Sequence, residues 1–284
     1  MRFGIFGVNS WACALDPAGA GRALAAAEAA GWESAWVGEH YALPDPPVPT
    51  SPAPPDTPML DPFVALAHLA GATSTLLLGT GLVVLPLHQP VALAKRVASL
   101  DRVCGGRLLF GVGVGYLEPE FAALGVPMAG RGRRADETLD ALAALWAGGP
   151  VHEGRDRAFT GLRAEPRPVR PEGPPLHVGG HGPAALRRAV TRGAGWYGWM
   201  LDVAAASEHI AALRRAAGEH ERPPALGPLE VSVTPPAGRP LDPGTVEAYA
   251  AAGVDRLIVI PPGRARKDTA ELARWAEETA AALA

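Results

Sequence analysis

Leu109-Phe110-Gly111-Val112-Gly113-Val114-Gly115-Tyr116 is the stretch on which the fold turns. Its glycines superficially match a dinucleotide-binding loop, in which a strand ends and a helix opens on G-x-G-x-x-G. No third glycine falls at that spacing, and the glycines alternate with valines inside the run instead of opening a helix. The Rossmann reading is therefore rejected, and residues 107–114 read as a strand. Under period-two alternation Gly111, Gly113 and Gly115 share one face and leave a stripe of bare backbone. Such a stripe admits a flat ring, or equally the bulky neighbours of a packed barrel.

Working outward, seven more β-type runs cover residues 2–7, 34–38, 76–85, 176–178, 195–200, 229–234 and 256–260, and each is followed by a helical segment. The helix starts are written in the sequence. Asp16-Pro17, Asp61-Pro62, Gln89-Pro90 and Asp242-Pro243 each set a capping side chain before a proline at the first helical position. Further helices open near Arg133, Pro183, Ala204 and Asp268. Leu93, Val97 and Leu100 make one apolar stripe, as do Leu139, Leu142 and Trp146, and Leu272, Trp275, Thr279 and Leu283. Eight alternations in 284 residues predict an α/β fold, a single (β/α)8 TIM barrel over residues 1–284, with an open doubly wound sheet as the rival. Two Pro-rich insertions interrupt the pattern. Residues 42–60 hold eight prolines and follow the second strand, on the side where barrel active sites form, as a lid or a surface-hugging segment; residues 149–175 hold six. Gly81, inside the third run, suggests a bulge.

Composition narrows the functional classes. With 26 Lys and Arg against 29 Asp and Glu, the net charge of −3 excludes a nucleic-acid binder driven by bulk charge, and 48% hydrophobic residues exclude disorder. The apolar run 76–87 is broken by Gly79, Gly81 and Pro86 and is too short for a membrane span, so a soluble, cytoplasmic protein is expected. Cys13 and Cys104 form no CxxC pair, and His177 and His181 bracket two glycines that no helix would carry, so no metal site is expected. No GxSxG elbow, glycosidase carboxylate pair or HExxH motif is present.

In a barrel, chemistry belongs at the C-terminal ends of the strands. Strand two ends in Glu39-His40-Tyr41, a titratable imidazole between a carboxylate and a phenol, suited to proton transfer or to hydrogen-bonding a heterocycle. Strand five ends in Gly179-Gly180-His181-Gly182-Pro183, where amides join a helix N-terminus as an anion cradle fit for phosphate, or make a plain glycine turn. Arg131, Arg133 and Arg134 precede Asp136 and Glu137 and read as a surface ion-pair network, while Trp199 stands near the end of strand six, where it could line a pocket.

Taken together, Trp36-Val37-Gly38-Glu39-His40, Leu43-Pro44, Asp61-Pro62, Leu78-Gly79-Thr80-Gly81, Leu85-Pro86, Gly105-Gly106-Arg107, the strand-four glycines, Glu120-Phe121, Arg131-Gly132-Arg133 and Val178-Gly179-Gly180 resemble the luciferase-like monooxygenase superfamily. Within it the chain is similar to the actinobacterial branch of probable coenzyme F(420)-dependent oxidoreductases. The resemblance implies a barrel binding a deazaflavin, coenzyme F(420), or alternatively FMN, and acting on a small-molecule substrate. Hydride transfer between coenzyme F(420) and a small organic molecule is the leading expectation. An FMN-dependent monooxygenase and a non-catalytic flavin-binding protein are the alternatives. The resemblance further implies that His40 contacts the ring, Thr80, Gly81 and Leu82 back it, Gly113, Gly115 and Tyr116 flank it, and Gly179, Gly180 and His181 hold the phosphate. It also implies a non-prolyl cis peptide near Gly81-Leu82. Related dehydrogenases carry a carboxylate where this chain has Tyr116, so Tyr116, Glu39 and His40 are the catalytic candidates. Cys104 replaces the family's serine, and Ala194-Gly195-Trp196 replaces Asp-Gly-Trp. A homodimer and a separate cofactor-reducing enzyme are the expected partners, with no nucleic acid and no membrane.

Overall fold

The computed structural model describes residues 1–149, 151–155, 158–238 and 241–283. Pro150 and residues 156 and 157 of the second Pro-rich insertion lie outside the described residues. Eight parallel strands alternate with helices: β1 (Arg2–Phe6), β2 (Ser34–Val37), β3 (Leu77–Thr80), β4 (Leu108–Gly113), β5 (Leu176–Gly179), β6 (Gly195–Gly198), β7 (Glu230–Val233) and β8 (Arg256–Val259). β1 pairs with β8 through Ile5 and Val259, and β3 pairs with β4 through Leu78 and Leu108, so the sheet closes on itself and the open-sheet rival falls.

The principal helices are α1 (Pro17–Ala29), α2 (Pro62–Ala72), α3 (Pro90–Val103), α4 (Arg131–Trp146), α5 (Pro183–Arg192), α6 (Val203–Glu219), α7 (Pro243–Ala252) and α8 (Thr269–Leu283). Their starts follow the capping code. Asp16 Oδ1 accepts from Gly19 N at 2.9 Å, Asp61 Oδ1 from Phe63 N at 2.9 Å, Gln89 Oε1 from Ala92 N at 2.9 Å and Asp242 Oδ1 from Thr245 N at 2.7 Å. Pro17, Pro62, Pro90 and Pro243 thus fix where these helices begin.

Two apolar layers result. The larger lies between helices and strands; the smaller fills the barrel with Trp36, Leu109, Tyr197 and Ile258, with Phe6, Leu77 and Leu82 against it. Trp36 fits because Gly79 lacks a Cβ: one there would collide with the indole. Beneath Trp36 the N-terminal ends of the strands form a charged floor. Arg256, 1% exposed, pairs with Glu33 (Nε to Oε2 2.5 Å, Nη2 to Oε1 2.9 Å) and Glu230, donates to Ser232 Oγ at 3.0 Å, and lies 5.8 Å from the Trp36 ring centroid.

Two strand expectations need correction. The third run is not one strand with a bulge: β3 stops at Thr80, a cis Gly81–Leu82 peptide follows, and Val83–Val84 pairs separately with β4. The sixth stops at Gly198 instead of residue 200, since Met200 turns the chain at φ 56°. The Pro-rich insertions divide by end of the barrel. Residues 42–60 return along the end of β1, where Trp11 N donates to Pro58 O at 3.0 Å and Leu60 N to Asn9 O at 2.9 Å. The second insertion approaches β5 from the floor side, tied by Val169 N to Asp101 Oδ2 at 2.7 Å and by Arg102 Nε to Arg167 O at 2.7 Å. No helix among the described residues is long and apolar enough to cross a membrane.

Candidate active site

The mouth of the barrel is assembled from strand ends whose backbone is pinned by buried polar side chains. Asn9, fully buried after β1, donates Nδ2 to Gly38 O at 2.9 Å and accepts from Gly38 N at 3.2 Å, fixing the exit of β2. Two residues on, His40 Nδ1 stands 3.2 Å from Glu120 Oε2, and Tyr41 N donates to Glu120 Oε1 at 2.5 Å. Glu120 lies on the short helix Glu118–Ala123 with its side chain 3% exposed. Tyr116 Oη comes to 3.5 Å from His40 Nε2, with the rings edge to face and centroids 6.0 Å apart. Burial, reinforced by the charge of Glu120, raises the Tyr116 pKa, so the phenol keeps its proton at neutral pH. Arg131 Nε donates to Gly115 O at 3.2 Å and steadies the backbone before Tyr116.

The structure thus brings His40 and Tyr116 together and leaves Glu39 out of their contact. Glu39 is buried, accepts from Val84 N at 2.6 Å, and meets His88 Nε2 at 2.9 Å, tying β2 to the segment after the cis peptide. Thr80 Oγ1 donates to Gly111 O at 2.7 Å. The expected stripe of three glycines is shorter than the sequence suggests, because β4 ends at Gly113 and Gly115 lies beyond it at φ 76°. Gly111 is bare because the Thr80 carbonyl occupies its side-chain position, and Gly115 because Phe121 and Val84 do, whereas Gly113 and Gly179 are the flat surfaces against which the Leu82 side chain rests.

Beyond Leu82 lies the cradle. Gly180 adopts φ 116°, a conformation open to glycine, and its carbonyl accepts from Trp196 Nε1 at 2.9 Å. Gly182 caps α5 and Pro183 begins it. Among the described residues none accepts a hydrogen bond from the amides of His181 or Gly182. His181 Nε2 accepts from Trp199 N at 3.2 Å, so its neutral ring carries the proton on Nδ1. Burial first, and His209 second, lower its pKa, and the two imidazoles stack with centroids 4.6 Å apart. Bare amides, a helix N-terminus and a neutral imidazole donor fit a phosphate group. Phe6 and Trp199, 4.7 Å apart between centroids, wall the mouth on the side of β1 and β6.

Of the arginine cluster, Arg133 pairs with Glu137 at 2.9 Å as expected of a surface network, but Arg134 is 9% exposed and donates to the Ala129 carbonyl at 2.9 Å. Sequence reasoning missed Glu120, Asn9, His88 and His209 as contributors to the mouth. Glu120 carried a usable signal: a carboxylate four residues after Tyr116, in the first turn of a short helix directly beyond the glycine strand.

A closed eight-stranded barrel with titratable side chains gathered at the C-terminal ends of its strands is the architecture of a (β/α)8 enzyme. The family model for luciferase-like monooxygenase matches residues 1–282, and the chain belongs to that family of oxidoreductases. An uncharacterized protein of Mycobacterium tuberculosis is 31% identical over 282 residues, covering 95% of this chain and 94% of that one. The oxygenating constituent of 3,6-diketocamphane monooxygenase from Pseudomonas putida, solved with FMN, superposes with a TM-score of 0.77 at 17% identity, covering 100% of this chain and 98% of that one. The coenzyme F420-dependent tetrahydromethanopterin reductase of Methanopyrus kandleri superposes with a TM-score of 0.73 at 17% identity, covering 94% and 96%.

Proposed function

We propose that the protein is an oxidoreductase that transfers a hydride between coenzyme F(420) and a small carbonyl-bearing or apolar organic substrate. The observation that carries this reading is the pair of His40 Nε2 and Tyr116 Oη, 3.5 Å apart at the open mouth, a proton-handling couple. Gly179, Gly180 and His181 would hold the phosphate, Thr80, Gly81 and Leu82 would back the ring, and Gly113, Gly115 and Tyr116 would flank it. Bound there, the deazaflavin supplies hydride exchange. The chain's own work is to orient the reactants, exclude water with Phe6, Leu82 and Trp199, and relay a proton between a substrate oxygen and His40 Nε2 through the Tyr116 hydroxyl as the hydride moves. Tyr116 suits that task because its hydroxyl is protonated at neutral pH and its ring, 51% exposed, reaches the opening.

A second reading keeps the site and uses reduced FMN with O2 as a monooxygenase; the Pseudomonas putida neighbour, described in complex with FMN, favours it. Titration of the protein with each cofactor separates the two, followed by anaerobic oxidation of the reduced deazaflavin with a panel of carbonyl compounds. Turnover with coenzyme F(420) without O2 is expected; tight FMN binding with O2 consumption selects the second reading, and binding of neither cofactor overturns both. Gly180→Asp should weaken cofactor affinity at least tenfold more than Gly180→Ala, which shares its backbone strain of about 1–3 kcal/mol and its close contact with Ala185 but adds no charge at the cradle. Equal affinities in the two variants would move the phosphate elsewhere.

A further inference from the structure

We infer that Glu120 is the positioning residue of this mouth, holding His40 in the tautomer that carries its proton on Nδ1 and leaves Nε2 as the acceptor facing Tyr116. An ionised carboxylate only accepts hydrogen bonds. Its two oxygens are taken by consecutive residues, Oε2 by His40 Nδ1 at 3.2 Å and Oε1 by the Tyr41 amide at 2.5 Å. The ring nitrogen at 3.2 Å must therefore be the donor. Glu120 is too buried for water to replace either partner, its side chain being 3% exposed, so rotating the imidazole would strand a carboxylate oxygen. The nearby rivals are engaged elsewhere: Glu39 meets His88 and Val84 N, and Arg131 donates to Gly115 O. In the neutral ring, with Nδ1 committed as donor, Nε2 can only accept, and the Tyr116 hydroxyl at 3.5 Å is left to donate to it, which gives the chain Tyr116, His40, Glu120 a single direction of hydrogen bonding.

The same geometry says what a neutral isostere would do. In Glu120→Gln the Tyr41 amide is a fixed donor, so the carboxamide oxygen must face it and the carboxamide NH2 must face His40. Nδ1 then becomes an acceptor and the proton moves to Nε2, where it confronts the Tyr116 hydroxyl.

The test is long-range 15N–1H correlation spectroscopy of the full chain labelled at histidine, with His40 assigned by comparison with His40→Gln. The wild type should show His40 protonated at Nδ1, Glu120→Gln should shift it to Nε2, and Tyr116→Phe should leave it at Nδ1. A wild-type ring protonated at Nε2, an unchanged tautomer in Glu120→Gln, or a switch in Tyr116→Phe would each overturn the assignment. The wild-type and Tyr116→Phe spectra decide the matter even where Glu120→Gln fails to fold. That Nε2 serves the reaction rests on the function proposed above, and it has its own readout. Glu120→Gln should lower kcat at least about tenfold with KM within about twofold, as an imidazole held in the wrong tautomer does elsewhere. Should no cofactor bind the wild type, the proposed function fails while the tautomer result stands.

Discussion

The floor and the mouth of this barrel are built from similar residue types used in opposite ways. At the floor, Arg256 is 1% exposed, and its guanidinium is shared among Glu33, Glu230 and Ser232. At the mouth, Tyr116 and Trp199 are exposed, His40 and Tyr116 meet through one long contact, and the amides of His181 and Gly182 are unclaimed among the described residues. The donors of Arg256 are spent on the fold, although His177 Nδ1 is buried nearby without a partner among the described residues, whereas the bare amides and half-exposed rings of the mouth are open to a ligand. The contrast locates stability at one end of the strands and function at the other, and it can be broken from either end.

The largest effect is expected at the floor. Replacing Arg256 with Met removes the buried cation that Glu33 and Glu230 share and leaves them only the more exposed Arg2, 2.7 Å from Glu230 and 3.6 Å from Glu33, and should cost about 3 kcal/mol in urea unfolding. Cofactor affinity per folded molecule should stay unchanged. A loss under about 1 kcal/mol would show that the network is dispensable to stability.

Next comes acid sensitivity. His177, packed against Trp36 at the floor, has its pKa pushed down from 6.5 to about 4. Burial dominates, opposed by Glu230 at 3.7 Å and assisted by Arg256 and Arg2. The unfolded chain binds this proton more readily than the folded one. The contribution is therefore intact above pH 6.5 and lost as pH falls toward 4, amounting at most to about 3 kcal/mol. His177→Asn should flatten the unfolding free energy over that window relative to wild type; parallel pH profiles would remove His177 as the cause.

The same division explains what the sequence could reveal. Strand positions, helix starts and barrel closure were legible because they rest on local rules: period-two runs, Asp-Pro caps and the count of eight alternations. His40 and Tyr116 were legible as strand-end residues of the right chemistry. The partners that define their geometry were not, since Glu120 lies 80 residues from His40 and His88 lies 49 residues from Glu39. Such pairs exist only once the barrel closes. The glycine stripe shows the limit within a single element. Alternation predicts Gly111, Gly113 and Gly115 on one face, but the strand ends at Gly113 and Gly115 turns at φ 76°, and only packing reveals that Gly111 makes room for the Thr80 carbonyl, Gly115 for Phe121 and Val84, and that Gly113 supports Leu82.

The smallest effect on stability and the sharpest test of the comparison fall on one residue. Tyr116 is 51% exposed and its hydroxyl makes a single 3.5 Å contact, so Tyr116→Phe removes little that the fold depends on. Unfolding free energy should change by less than about 0.5 kcal/mol. Turnover of the cofactor-loaded enzyme should nonetheless fall by about 10²-fold, since a positioned general acid contributes on that scale. Because removal of the hydroxyl leaves Glu120 and His40 in place, the loss should appear in kcat more than in KM. A variant that is strongly destabilised would make the mouth as structural as the floor. One that keeps full turnover would mean that the substrate exchanges its proton with His40 Nε2 directly, without the phenol between them.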